Sequence, residues 1–136
     1  GFRQVPIGQV FDRTLKLSRG EFLVQALTEV SYIGMPYVTV KKRKVASIDY
    51  PLVTVTALRS DSGIRVAFSG VRSFPFRSAA VEEILNRREI PLEDRINQAA
   101  DQLPAPILSD IKGSAAYRKL VLKNTLHDTI RTLGGG

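Results

Sequence analysis

The hydrophobic pattern of this 136-residue chain changes its period once, near Pro75. Before that proline, apolar and polar residues alternate over short stretches, as they do in β-strands with one buried face. After it, apolar residues recur every three or four positions, as on one face of an α-helix. Strands followed by helices, rather than alternating with them, indicate an α+β domain. We therefore predict an antiparallel sheet of three to four strands, covered on one face by three helices.

The clearest local prediction in the strand half is a β-hairpin. Residues 52–59 (LVTVTALR) are rich in β-branched side chains, and residues 60–63 (SDSG) have the composition of a turn. Residues 64–69 (IRVAFS) then alternate apolar with polar or small side chains. Gly63 suits a positive φ where the chain re-enters the sheet.

Two further stretches ahead of the hairpin carry strand-like sequence. Residues 37–40 (YVTV) are a β-branched run. In residues 22–33, apolar side chains fall on both sides of a period-2 pattern, which is typical of a strand buried on both faces. Proline and glycine punctuate residues 1–20, and we expect an extended lead-in there.

Three helices are predicted after Pro75, each with a start or stop signal. Ser78 is a suitable N-cap for the first helix, and Ser114 for the last and longest, which should run to Leu133. The second helix should end before residues 104–106 (PAP), because proline breaks helical hydrogen bonding. The apolar faces expected to be buried are Val81, Ile84 and Leu85; Leu92, Ile96, Ala99, Ala100 and Leu103; and Leu120, Leu122, Leu126, Ile130 and Leu133.

The chain contains no cysteine and a single histidine, His127. It therefore has no disulfide, thiolate metal site or cysteine nucleophile, and it cannot assemble a multi-histidine metal site by itself. We do not expect a self-contained enzyme. His127 lies near the edge of the last helix's apolar face, and we interpret it as a surface histidine rather than a pH switch. Because no transmembrane or signal-peptide stretch is visible, we expect a soluble, cytoplasmic protein.

Lysine and arginine (20) outnumber aspartate and glutamate (13), so the net charge is +7. The one dense basic run is Lys41-Lys42-Arg43-Lys44, which Tyr37 and Tyr50 flank without interleaving it. Surfaces that bind single-stranded nucleic acid combine positive charge with aromatic side chains for base stacking. We therefore do not expect nucleic acid as the main partner, and a partner subunit with an acidic surface would account for the same charge. A freestanding basic module that binds a protein partner or nucleic acid is the alternative function.

Three stretches stand out in chain order, namely residues 49–53 (DYPLV), 68–77 (FSGVRSFPFR) and 110–118 (DIKGSAAYR). Together they resemble the C-terminal domain of the FAD-binding (medium) subunit of molybdenum hydroxylases, the family of xanthine dehydrogenase and carbon monoxide dehydrogenase. The last stretch is the most specific, since it is similar to the family's Asp-x-x-Gly-Ser-Ala-x-Tyr-Arg signature ahead of a long terminal helix.

These stretches also contain residues whose structural roles follow from their chemistry. Gly70 suits a close backbone approach or a positive φ at the strand exit. Asp110 and Ser114 are placed to cap the last helix. Arg118 is placed to form a charge-assisted hydrogen bond with a carboxylate, either Asp110 or one on a neighbouring domain.

The resemblance implies a function that is shared with other polypeptide segments. In the family, a molybdenum centre hydroxylates the substrate, and electrons pass through 2Fe–2S clusters to FAD and then to an acceptor. This domain would pack against the flavin domain and support that transfer without being catalytic alone. Its partners would be the FAD-binding domain and the iron–sulfur and molybdenum subunits or domains. Residues 1–20 would correspond to the end of the FAD-binding domain, residues 21–133 to the C-terminal domain and residues 134–136 to a glycine tail.

The resemblance also implies one cofactor contact. A lysine near the start of the domain approaches the flavin in some family members. By position relative to Asp49, the counterpart is Lys41, with Lys42 nearly as good, and a cation there would favour an anionic reduced flavin. FAD would be held mainly by a preceding domain, because this sequence has no glycine-rich loop to bind its pyrophosphate.

Overall fold

The fold is built on a four-stranded antiparallel sheet. The computed structural model describes residues 1–43 and 51–134. The strands, in their spatial order, are β3 (Tyr37–Lys42), β4 (Val53–Ser60), β5 (Gly63–Ser69) and β6 (Phe76–Arg77). Neighbours in the sheet are also neighbours in sequence, so the sheet is a meander.

Alternation along the two central strands determines which face of the sheet is buried. The buried side chains are Val53, Val55 and Ala57 of β4 and Ile64, Val66 and Phe68 of β5. The register pairs Val55 with Phe68, so the two sets share one face. The predicted hairpin is confirmed, and Gly63 has the expected positive φ, +117°.

Three helices cover the buried face, and the predicted α+β architecture is confirmed. They are α2 (Ala79–Leu85), α3 (Leu92–Asp101) and α4 (Ala115–Thr132). Helix α4 packs on β3 and β4, α2 packs on β5, and α3 lies against both of those helices. The apolar side chains of these elements form one continuous core.

The helix caps predicted at Ser78 and Ser114 are confirmed. Ser78 Oγ accepts a hydrogen bond from the backbone N–H of Val81, and Ser114 Oγ accepts one from that of Tyr117. Each bond satisfies an amide that has no partner within its helix. One residue predicted in the core face of α4 is not buried, since Leu120 is 56% exposed. Residues two apart on a helix point about 160° away from each other, so Leu120 cannot share the buried face of Leu122.

Side chains of α2 and the residue after it cover the open edge of β5. Strand β6 pairs only with Ala67 and Phe68, which leaves the backbone of Ile64 and Val66 without a strand partner on that side. The Asn86 side chain accepts a hydrogen bond from Ile64 N–H (2.7 Å) and donates one to Ile64 O (2.9 Å). Glu82 Oε1 accepts one from Val66 N–H (2.9 Å). These side chains therefore replace a neighbouring strand.

The prediction for residues 22–33 was wrong. They form no strand, and their only regular element is a 3-10 helix, Val30–Tyr32. Phe22 is 77% exposed and Val24 is 62% exposed. A strand buried on both faces needs neighbouring strands and two covering layers, and no strand of the described chain pairs with this segment.

The lead-in differs partly from the extended conformation expected. It contains a one-turn helix, α1 (Ile7–Val10), followed by a short hairpin of β1 (Phe11–Asp12) and β2 (Thr14–Leu15). Arg13 makes the hairpin turn with a φ of +66°. The short strand β6 was not predicted either, because two residues are too few to show a period.

Candidate functional site

The signature at residues 110–118 folds into a hydrogen-bond network centred on Arg118, which is 1% exposed. Its Nη1 donates to the carbonyl oxygens of Leu52 (2.7 Å) and Gly70 (2.8 Å). Its Nη2 donates to Asp110 Oδ1 at 2.6 Å, which confirms the predicted ion pair. Leu52 precedes β4, Gly70 follows β5 and Asp110 precedes α4. One guanidinium therefore joins three segments that are distant in sequence.

Asp110 closes a tight turn rather than capping α4. Its Oδ1 also accepts hydrogen bonds from the backbone N–H groups of Lys112 (2.9 Å) and Gly113 (3.3 Å). Asp110 and Gly113 exchange two backbone hydrogen bonds of 3.1 Å each. Desolvation opposes ionisation of this carboxyl, but the hydrogen bonds from Arg118 and the backbone outweigh it and hold the pKa of Asp110 below its usual value.

Gly70 combines both features expected of it. Its φ is +78°, and a Cβ added there would lie 2.4 Å from the carbonyl oxygen of Leu52. No side chain fits at that distance. The chain therefore leaves β5 in close contact with the start of β4, where Arg118 binds both carbonyl groups.

Residues 75–77 (PFR), at the end of the second resembling stretch, are also structural. Arg77 makes a bidentate pair with Glu82, with both hydrogen bonds at 2.9 Å. Since Glu82 also binds the edge of β5, the pair ties β6 to α2 and β5. The motifs at 68–77 and 110–118 thus maintain the scaffold, and residues available to a ligand must be sought elsewhere.

The sheet face opposite the helices is the surface on which Lys41 lies; we call it the helix-free face. Lys41 pairs with Thr54 in the register, and Thr39 pairs with Thr56, with 3.2 Å between the two Oγ1 atoms. Lys42 instead pairs with Val53, whose side chain is buried under the helices. Strand alternation therefore separates the two candidate lysines, and Lys41 belongs to the helix-free face.

Arg65 and Tyr32 also meet on this face. Arg65 Nη1 donates a 2.6 Å hydrogen bond to the Tyr32 hydroxyl, and its guanidinium carbon lies 5.6 Å from the ring centroid. No motif or spacing in the sequence points to this pair. Alternation in β5 places Arg65 opposite the buried Ile64 and Val66, but nothing local indicates that the chain before β3 folds back over it.

The scaffold matches a known protein family. Residues 38–133 match the family model of the CO dehydrogenase flavoprotein C-terminal domain. The chain belongs to this family. The matched range includes all of the sheet except Tyr37, the three covering helices and Arg118. The resemblance inferred from three short stretches is confirmed. No curated protein matched the sequence.

Solved structures share the fold of this flavoprotein C-terminal domain. Quinoline 2-oxidoreductase from Pseudomonas putida 86 is 21% identical, with a TM-score of 0.58 over 74% of this chain and 37% of that chain. Carbon monoxide dehydrogenase from Hydrogenophaga pseudoflava, lacking the Mo-pyranopterin moiety, is 20% identical, with a TM-score of 0.57 over 73% and 36%. The cyanide-inactivated Cu,Mo-CO dehydrogenase is 21% identical, with a TM-score of 0.59 over 76% and 38%. The chain therefore spans no more than 38% of any of these chains.

Some predictions about this flavoprotein domain concern residues that the structure does not describe. These residues include Asp49 and Tyr50 of the first resembling stretch and Lys44 of the basic run. Within residues 1–43 and 51–134, no group of three or more histidine, cysteine, aspartate or glutamate residues is arranged to hold a metal ion. No helix in that part of the chain combines the length and hydropathy that a membrane crossing needs.

Proposed function

We propose that this domain is the C-terminal part of the FAD-binding subunit of a molybdenum hydroxylase-type oxidoreductase. It packs against the flavin domain and supports electron transfer from iron–sulfur clusters through FAD to an acceptor. The observation that carries this proposal is the family match over residues 38–133, within which Lys41 is exposed on the helix-free face. The molybdenum cofactor and the 2Fe–2S clusters belong to partner subunits, and this domain is not catalytic alone. Its cytoplasmic location stays a prediction.

Packing against a flavin domain is supported by the segment that precedes β3. Leu27 is 64% exposed, Val30 is 79% exposed and Ile33 is 73% exposed. Removing such side chains from water contributes about 25 cal/mol for each Å² of apolar surface, and the surplus over the cost of association stabilises the complex. We infer that a surface of the flavin domain covers these exposed side chains.

The helix-free face has the chemistry needed to line a flavin site. Lys41 supplies a positive charge, and Thr39 and Thr56 supply hydroxyl groups. FAD, when bound, supplies the capacity to accept and pass on electrons. Lys41 would hold a positive charge beside the ring, which favours the negative charge that the cofactor gains on reduction. The pyrophosphate would be bound by the flavin domain, since this chain has no glycine-rich loop.

Reconstitution with FAD tests the proposal. The complete flavin subunit should form a yellow complex with quenched flavin fluorescence, whereas this chain alone should bind FAD poorly. Lys41→Gln in the complete subunit should shift the flavin midpoint potential to more negative values, because a stabilising cation is lost. Lys42→Gln is the matched control, because Lys42 is next to Lys41 in sequence but lies on the opposite face of the sheet. Absence of a flavin complex would refute the proposed function, and equal shifts in the two variants would refute the role of Lys41.

A further inference from the structure

We propose that the N-terminal end of α4 carries a docking surface for an acidic, apolar-centred surface on another subunit of the oxidoreductase. This inference rests on the proposed function and adds a second contact site, separate from the helix-free face. The surface consists of Ile111, Tyr117 and Leu120, and we call it the Ile111 patch.

The patch consists of exposed apolar side chains on one turn and the helix that follows it. Ile111 is 96% exposed, Tyr117 is 46% exposed and Leu120 is 56% exposed. Tyr117 and Leu120 are three residues apart on α4 and so are surface neighbours. A Cβ added at Gly113 would lie 3.1 Å from Tyr117 Cδ1, so this ring rests against the turn that carries Ile111.

The turn that carries Ile111 is fixed before any partner binds. Asp110 and Gly113 exchange two backbone hydrogen bonds, and the Asp110 carboxylate binds two backbone amides of the same turn. The buried Arg118 holds that carboxylate in place. Association therefore need not order the backbone around the anchor, which removes a major entropic cost of binding. A nearly fully exposed isoleucine on a rigid turn has the form of an interface anchor.

Positive charge borders the patch. The end of β3 lies beside it, because Leu52 N–H donates to Lys42 O (2.8 Å) and Leu52 Cδ1 lies 3.0 Å from a Cβ added at Gly113. Lys42 and Arg43 are exposed there.

Among the residues that the structure describes, the carboxylates near the patch are bound to cations of this chain. Asp110 pairs with Arg118, and Asp101 pairs with Lys119 at 2.7 Å. The border of the patch is therefore basic, and its complement is an apolar depression surrounded by carboxylates.

The same charges disfavour a second copy of this chain as the occupant. A two-fold symmetric interface places the same patch of each copy against the other. Lys42 and Arg43 of both copies would then face one another, and the chain as a whole has a net charge of +7. A partner of opposite charge is favoured, which selects another subunit over self-association.

Binding measurements on the complete flavin subunit test the inference. The probes are the purified iron–sulfur subunit and the purified molybdenum subunit of the same complex, each titrated at several salt concentrations. Ile111→Ser should weaken association with one of them by about tenfold or more, as removal of an interface anchor does. Arg43→Glu should weaken the same association and reduce its salt dependence. The matched control is Arg88→Glu, since Arg88 lies beside Ser60 and Gly63 at the other end of β4; it should leave the affinity within about twofold.

Flavin fluorescence of each variant separates this inference from the proposed function. Ile111→Ser and Arg88→Glu should still quench bound FAD, because neither residue belongs to the sheet. Normal FAD binding with wild-type affinity for both probes in Ile111→Ser would overturn only the docking inference. Failure of the wild-type subunit to bind either probe would also overturn it. So would a patch-dependent change in the subunit's own oligomeric state, or patch-dependent binding to vesicles that contain phosphatidylserine.

Discussion

Arg118 Nη2 donates a 2.6 Å hydrogen bond to Asp110 Oδ1, eight residues earlier in the chain. The same guanidinium binds the carbonyl oxygens of Leu52 and Gly70 through Nη1. The ion pair therefore orients a cation that holds the ends of two strands together. Without that carboxylate, a buried positive charge would have only carbonyl dipoles to compensate for its desolvation.

Removing the guanidinium should destabilise the domain severely. In Arg118→Ala, the Leu52 and Gly70 carbonyl groups lose their donor, and a cavity forms in the core. We expect the free energy of unfolding in urea to fall by about 3–5 kcal/mol. Arg131→Ala, on an exposed position of the same helix, should change it by about 0.5 kcal/mol or less. Similar losses in the two variants would show that the network does not carry this stability.

Gly70→Ala should lower the free energy of unfolding by more than the positive φ of Gly70 alone explains. Gly70 and Gly20 have similar φ values, +78° and +84°, but only at Gly70 would a Cβ clash with backbone. We expect Gly20→Ala to lower unfolding free energy by about 1 kcal/mol and Gly70→Ala by clearly more, because the Leu52 carbonyl must also move. Thermal and urea denaturation of both variants measure the difference. Equal losses would contradict the close approach.

Acid should weaken the domain through Asp110. Its folded pKa lies below the ordinary 3.8, so the unfolded chain binds more protons between those two values. The stabilisation by the Asp110–Arg118 pair is then complete above about pH 5 and is lost as the pH falls through the folded pKa. Asp110→Asn lacks this titration, so its stability deficit relative to wild type should shrink as the pH is lowered. Urea denaturation at several pH values measures it, and a deficit that is constant with pH would refute the prediction.

Other carboxyl groups also contribute to acid sensitivity, which is why the comparison uses a variant. A hydrogen bond from Arg3, with help from Ser18, lowers the pKa of Glu21 to about 2. This contribution is present in both wild type and Asp110→Asn. The difference between the two proteins therefore isolates Asp110.

Removing the Asn86 amide should open the edge of β5. In Asn86→Ala, the N–H and C=O groups of Ile64 lose their partners, at a cost of about 1–3 kcal/mol. Amide hydrogen exchange should accelerate at Ile64 more than at Val55 in the centre of β4. Asn124→Ala, at an exposed position of α4, is the matched control and should leave the exchange rate of Ile64 unchanged. An unchanged rate in Asn86→Ala would refute the role of this side chain at the edge.

Features that depend on neighbours in sequence were predictable from the chain itself. The hairpin from residue 52 to residue 69 follows from alternation around a four-residue turn. The caps at Ser78 and Ser114 follow from the short reach of a serine hydroxyl to an amide three residues on. The Asp110–Arg118 pair was also predictable, because its partners lie within one turn and the start of one helix.

Other features depended on contacts between distant segments. From the sequence alone, Lys41 and Lys42 are nearly equal candidates for the flavin contact. Only the register with β4 shows that they lie on opposite faces of the sheet. It did not indicate that Asn86 replaces a strand beside Ile64, or that Tyr32 meets Arg65. The apolar face of α4 is also narrower than its sequence predicts, because Leu120 is exposed.

The amino-acid sequence by itself determined the order of strands and helices, the main turn, the helix caps and the family signature. Each of these is encoded by side-chain period or by groups a few residues apart. Only the tertiary structure decided which sheet face is open, how Arg118 joins three segments and which apolar residues are left exposed. Periodicity shows that a side chain needs an apolar neighbour, but chain packing determines whether one is there, and most apolar side chains of residues 22–33 remain exposed.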